Sequence, residues 1–438
     1  MTYEQQSELS TNMNNMSTTI KIGMIGFSLQ NTWAIKTHYP AIQQLSSNFQ
    51  ITALFNESLD ESLQTIRQLK LENATAFPSL ESFILSSNID MILVAIHDKN
   101  YDPLIAELVA NVQQLKFIPN HNQIKYIFLD WPLNCSIEQV EYLVQETAKL
   151  DIQTVTSLQG RKSPYVMRAK DLIAEGSIGE INSIEIAGNG AWYGYERPIK
   201  SPSYLYDMSN GKDLVSNAFA HTIDVVQYIT QSHFKQLNSM IFNNIPKQEL
   251  IDDNGNRTGE FVEKKAPDHL LFQGKLIKGN VPVSCSFKGG KPTKKFTKNL
   301  VIDIHGTRGD IKLEGDAGFI EMSNLVLYYS GMKVEDITTA ENVEVKTPGA
   351  YDAGKEVMEF YHLRNYNALL GNIFRLYQSI IDVHLHQLKL QSQQKFAYQG
   401  FQKEGYPTLT DGLVLYRLIQ SVFKSNLLGS TLDVSNLQ

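Results

Sequence analysis

Cysteine is nearly absent: only Cys135 and Cys285 stand in 438 residues. Two thiols can build neither a disulfide framework nor a four-thiolate zinc cluster, and such usage fits a reducing compartment. Long apolar runs are missing as well. No stretch approaches the roughly 20 residues that span a bilayer, so no membrane span is expected. Positive charge is scarce, with 39 Lys and Arg against 46 Asp and Glu, which removes any global reason to expect direct DNA contact. The Gly-x-Ser-x-Gly turn of hydrolases and the Gly-Lys-Ser/Thr phosphate loop of kinases do not occur. Histidines are scattered, and the close pair His384 and His386 has no cysteine or carboxylate at ligand spacing, so no metal site is expected.

What is present is ordinary globular composition, 42% hydrophobic and 19% charged, at a length that suits two domains. Residues 1–19 are rich in Ser, Thr, Asn and Gln, without a basic start or an apolar run; they are expected to form a disordered tail and not a signal peptide. Over residues 20–156 β-branched strand patterns, at 20–25, 50–55, 91–96, 125–129 and 154–158, alternate with helical patterns. That alternation predicts a Rossmann-type parallel sheet. From 157 to 438 long alternating strands dominate, at 181–187, 268–276, 280–287, 299–305, 310–314 and 324–329. The expected fold class is therefore α/β, with an N-terminal Rossmann-type parallel sheet and a C-terminal α+β domain on a large, mostly antiparallel sheet. A broad sheet with one open face predicts a homodimer through that face. Helical patterns at 356–383 and 410–427 are expected to pack back on the first domain or on the sheet, and the polar stretch 384–404 between them reads as a mobile loop.

The most informative stretch is Gly23 to Pro40, a strand, turn and helix in the context of a dinucleotide-binding loop. Its glycines are incomplete. Gly26 can make the tight turn, but Ser28 stands where a second glycine lets the backbone approach a pyrophosphate, and no third glycine follows before Trp33. Strand ends in open α/β sheets carry the ligand contacts. That makes Asn56, after the second strand, and Ile96 with His97, after the third, candidates for cofactor binding. An acid at position 56 would bind the adenosine ribose; Asn56 is neutral, with Glu57 one step on.

Asp130-Trp131-Pro132, together with this loop, resembles the oxidoreductases related to glucose-fructose oxidoreductase, which carry Glu-Lys-Pro there. In that family the lysine polarises the substrate oxygen beside the nicotinamide; an indole cannot act as an acid at neutral pH. The segment Asn217-Ala218-Phe219-Ala220-His221 is similar to one in which an aspartate precedes the catalytic histidine by four residues on one helix face. Here that residue is Asn217, an amide. The resemblance thus implies a retained site, Trp131, Asn217 and His221, without its acid-base set, and no catalytic residue. Arg161, by the same resemblance, faces the cofactor cleft; the alternative is a structural arginine.

Two further segments stand out. Trp192-Tyr193-Gly194-Tyr195-Glu196-Arg197-Pro198 suits either core packing or a recognition groove, and the basic run 288–298, with Lys294 and Lys295, suits either a solvated loop or an acidic partner. The runs 33–42, 157–165, 181–190, 192–198, 280–307, 312–319 and 351–367 resemble the yeast galactose-regulon repressors, a non-catalytic branch of the same oxidoreductases. That resemblance implies a nuclear and cytoplasmic repressor that masks the acidic activation domain of a zinc-cluster activator. A galactokinase-like sensor, loaded with galactose and ATP, relieves the block, and NAD or NADP is bound as a ligand at Gly26, Ser28, Trp33, Asn56, Ile96, His97, Asp130, Trp131 and Arg161. Partner contacts are expected at Trp33, Trp192, Tyr193, Tyr195, Arg197, Lys294 and Lys295. One departure is Thr32, where the family has a glycine before the tryptophan. The other reading is an NAD(P)-dependent sugar oxidoreductase using His221.

Overall fold

The computed structural model describes residues 18–437 apart from 87, 97–101, 118–123, 134, 191–192, 200–205, 207, 209–212, 291–297, 332–367 and 393–404. The chain divides into two units, the first of Met1–Ser157 with Ile373–Gly412, the second of Leu158–Asn372 with Leu413–Gln438.

In the first unit β1 (Ile20–Ile25), β2 (Phe49–Phe55), β3 (Thr75–Ala76), β4 (Met91–Val94), β5 (Tyr126–Leu129) and β6 (Gln153–Thr156) form one parallel sheet in the order β3-β2-β1-β4-β5-β6. This is the strand order of a doubly wound dinucleotide fold, with its switch point between β1 and β4. Every residue of β4 and β5 is buried, which explains why they read as continuous apolar runs and not as alternation: helices cover both faces of a parallel sheet. The helices are α1 (Thr32–Lys36), α2 (His38–Gln44), α3 (Leu59–Leu69), α4 (Leu80–Ile84), α5 (Asp102–Gln114) and α6 (Ile137–Lys149). Gly23 has a packing role inside β1, since a Cβ there would stand 2.6 Å from the Phe83 ring.

The second unit opens on α7 (Pro164–Ala174), with proline at its first position, where no N–H is needed. Its main sheet runs β16-β15-β14-β7-β13-β12-β9-β17, made of β7 (Ile181–Gly190), β9 (Phe234–Phe242), β12 (His269–Leu276), β13 (Pro282–Gly289), β14 (Leu300–Gly306), β15 (Gly309–Gly315), β16 (Leu325–Gly331) and β17 (Leu432–Asp433). All neighbours are antiparallel except β7 and β13. One face is packed: Phe272 and Phe287 meet Phe219 at ring distances of 5.1 and 6.1 Å. Helix α8 (Ala220–Thr230) follows directly from Phe219. The other face carries Glu185, Ala187, Ser284, Leu271, Met240 and Asp303 around a groove of about 450 Å³.

The second unit also holds a sheet not expected from the sequence, and one expectation needs correction. β10 (Lys247–Ile251) and β11 (Arg257–Glu263) pair across a turn at Asp252 and join β8 (Glu196–Pro198) in a separate three-stranded sheet. Asp252 Oδ1 accepts from Asn254 and Asn256 N–H, the self-contained bonding of an aspartate turn. Residues 384–392 of the expected loop are helical, because α9 (Ala368–Ser392) runs through them, while 393–404 lie outside the described residues. His384 is buried, with Nδ1 3.1 Å from the Tyr126 hydroxyl, so the segment that reads as polar is the wet side of an amphipathic helix. The last helix is α10 (Leu409–Leu428).

Candidate functional site

The nucleotide loop begins at Gly26, whose φ of +78° is left-handed and favours glycine. A Cβ there would lie 2.5 Å from Ile96 Cγ1, so conformation and space both require glycine. Asn31 closes the loop: its Nδ2 donates to Gly26 O and to Ala95 O, while its Oδ1 caps α1 at Ala34 N–H, 3.2 Å away. One side chain thereby ties the carboxyl ends of β1 and β4 together, and no three-glycine signature is needed to shape the turn. Ser28 is buried within it, its carbonyl accepting from Asn31 N–H. Trp33, half-buried on α1, accepts at its carbonyl from the Thr37 hydroxyl.

Asn56 immediately follows β2 and is buried. Its Nδ2 donates 3.0 Å to Phe27 O, which fixes the orientation of the amide, and its Oδ1 is buried without a partner among the described residues. An orphaned acceptor at this strand end suits a ribose hydroxyl, which brings a donor. Gly26, Asn31 and Asn56 therefore fit a dinucleotide, with Ser28 the one misfit to close backbone approach.

Asp130 is a correction. Both carboxylate oxygens lie within 3.0 Å of His38 Nε2 in a fully buried pair, so this group is committed to the core; a buried carboxylate has to be paired. Trp131 is also buried, with its backbone N–H donating 2.7 Å to Ser157 Oγ. His97 lies outside the described residues.

In the second unit Arg161 takes the structural alternative. Its Nε and Nη2 donate to the two oxygens of Asp224 at 2.9 and 2.6 Å, a bidentate pair, and Tyr228 lies under the guanidinium. The regular helix phase expected between Asn217 and His221 does not hold. Val215–Phe219 is a π-helical turn ahead of α8, started by Asp213, whose Oδ1 accepts from Val215 and Ser216 N–H. Asn217 bonds the Tyr193 hydroxyl, and burial foremost, then nearby Asp213, pushes the Tyr193 pKa well up. Tyr193 is fully buried, so it cannot present itself to a partner.

His221 Nε2 stands 4.0 Å from Glu321 Oε1, both buried. Glu321 was not legible as a site residue: it is a lone acid after Phe319-Ile320, and only the fold carries it beside α8. Its backbone carbonyl accepts from Asn372 Nδ2 at 2.9 Å, while Oε2 has no partner among the described residues. Burial pushes its pKa up to about 8. The arrangement is an imidazole facing a carboxyl that prefers to keep its proton.

Of the remaining candidates, Tyr195 is 70% exposed, and the Arg197 guanidinium stacks 4.3 Å over Tyr206. Trp192, Lys294 and Lys295 lie outside the described residues.

Comparison with known proteins gives a consistent result. The family model for the Gal80p C-terminal domain matches residues 164–315. The galactose/lactose metabolism regulatory protein of Saccharomyces cerevisiae is 58% identical over 438 residues, covering 100% of this chain and 99% of its own. Its Kluyveromyces lactis counterpart is 50% identical over 463 residues, covering 100% of both. A solved super-repressor mutant of Gal80p from S. cerevisiae superposes with a TM-score of 0.80 at 57% identity, over 96% of this chain and 98% of its own. An NAD binding oxidoreductase from Klebsiella pneumoniae shares the fold at 14% identity, TM-score 0.69, over 96% of this chain and 100% of its own.

Proposed function

The chain belongs to the Gal80 family of galactose/lactose metabolism regulatory proteins, and from that premise we propose that it represses galactose-utilisation genes by binding and masking the acidic activation domain of a zinc-cluster activator. A galactokinase-like sensor carrying galactose and ATP relieves the block, in nucleus and cytoplasm, and NAD or NADP is bound as a ligand that is not turned over. The observation that carries the non-catalytic reading is the state of the acid-base positions. Trp131 is a buried indole, and the Asn217 amide is spent on the Tyr193 hydroxyl; neither moves a proton at neutral pH. Dimerisation through the open face of the large sheet is part of this reading, supported by the apolar Met240, Leu271 and Ala187 at its centre.

The test is capture of the full chain on an activation-domain peptide, with mass detection of any nucleotide carried along, then titration of the peptide with and without NAD and NADP. Binding of both, with reciprocal effects on each other's affinity, is expected if the nucleotide reports to the partner site. The pairing of His221 with Glu321 is the one feature favouring a sugar oxidoreductase; sustained NAD reduction with an aldose or polyol, abolished by His221→Ala, would establish that reading and end the first.

A further inference from the structure

The His38 imidazole is buried completely between a carboxylate and a phenol that are buried as fully. Nε2 lies 3.0 and 2.9 Å from the two oxygens of Asp130, and Nδ1 lies 2.9 Å from the Tyr377 hydroxyl. A carboxylate only accepts, so Nε2 carries a hydrogen, and in the neutral ring Nδ1 accepts from Tyr377. Burial, and secondly Asp130 nearby, raise the Tyr377 pKa and keep its proton in place. Phe128 packs on the ring edge-on at 5.6 Å.

The three residues come from separate parts of the first unit. His38 opens α2, one residue after Thr37, whose N–H and hydroxyl both donate to the Trp33 carbonyl at 2.9 and 2.6 Å. Asp130 follows β5 and immediately precedes Trp131, and Tyr377 belongs to α9. The backbone of His38 follows, through Thr37, the helix that carries Trp33, and its ring bonds Asp130, the residue next to Trp131. Apolar residues of the same volume stabilise a core as well as a buried polar pair does, but they do not set a distance between two segments. Directional bonds to fixed groups do.

We propose that His38 is a positioning residue of the dinucleotide site: its bond to Asp130 sets the separation between the Trp33 helix and the Trp131 loop, so nucleotide affinity depends on a side chain that touches no nucleotide. The proposal rests on the dinucleotide reading given above. It distinguishes two substitutions that a packing role would treat alike. The amide of His38→Gln reaches the place of Nε2 and keeps the bond to Asp130; the amide of His38→Asn reaches only the place of Nδ1 and loses it.

Calorimetric titration of the full chain with NAD and NADP reads the effect, alongside acrylamide quenching of tryptophan emission in the free protein. The expected result is a Kd raised about tenfold in His38→Asn and within about threefold of wild type in His38→Gln, with quenching increased in His38→Asn as the buried Trp131 loosens. Tyr377→Phe removes a bond without stranding a charge and serves if His38→Asn does not fold; it is expected to weaken nucleotide binding about threefold. Equal Kd values for His38→Asn and His38→Gln, or unchanged affinity in Tyr377→Phe where His38→Asn fails to fold, overturn the proposal. A wild-type chain that binds neither nucleotide refutes the dinucleotide reading instead. In that case quenching decides alone: greater in His38→Asn than in His38→Gln supports the positioning of the loop, and equal quenching ends it.

Discussion

Glu321 offers the sharpest electrostatic prediction. Its pKa rises from 4.5 in the unfolded chain to about 8 in the fold, because burial penalises the charged carboxylate. The folded state holds a proton that the unfolded state has released, so the residue's stabilising proton linkage is complete below the unfolded pKa and is lost as pH rises through the folded one. Between the unfolded pKa and pH 7 that amounts to about 3 kcal/mol, at 1.36 kcal/mol per unit. Glu321→Gln keeps the shape and cannot ionise. Urea unfolding of both proteins from about pH 5 to about pH 8 is expected to show wild-type stability falling relative to the variant by roughly 3 to 4 kcal/mol, with Gln the more stable at the alkaline end. His221 stands 4.0 Å away, so the comparison is repeated in a His221→Asn background; the difference between the two gaps is the coupling of the pair. Parallel stability curves for Glu321 and Gln across this range would refute the reasoning, since a solvated carboxyl gives no such divergence.

Arg161→Ala strands the buried Asp224 carboxylate and is expected to cost about 3 kcal/mol in urea unfolding, more than the loss of a surface pair; a loss below about 1 kcal/mol means that water reaches Asp224. Gly26→Ala forces a Cβ into a left-handed residue and into Ile96, and is expected to destabilise by about 1 to 3 kcal/mol and to abolish nucleotide binding; wild-type affinity counts against a nucleotide over this turn. Trp33→Ala is expected to weaken either nucleotide or activation-domain peptide, read by titration of each, and unchanged affinity for both makes the ring a packing element only.

The fold class was legible because its signals are local. Strand and helix patterns alternate through Thr156, and the period changes at the second unit, so the parallel sheet and the large, mostly antiparallel one followed from hydrophobic spacing. The losses were local too. In the hairpin of β10 and β11, β11 is nearly all exposed and the one buried residue of β10 is the polar Gln248, so it carries no apolar alternation to read. Residues 384–389 hide their helix because His384 alone among them is fully buried.

At the candidate site the sequence shows which chemistry is missing, since residue type alone says that Trp131 and Asn217 cannot replace a lysine and an aspartate. It places Gly26 at the tight turn for the same reason, because only glycine relaxes at that φ. What each polar group does was decided by its partner. Asp130 reads as a ligand contact until His38, 92 residues away, claims it. Asp224 is spent on Arg161, and Glu321 enters beside His221 from the connection between β15 and β16. A charge's role depends on what surrounds it once water is removed, and those surroundings are assembled only when distant segments pack.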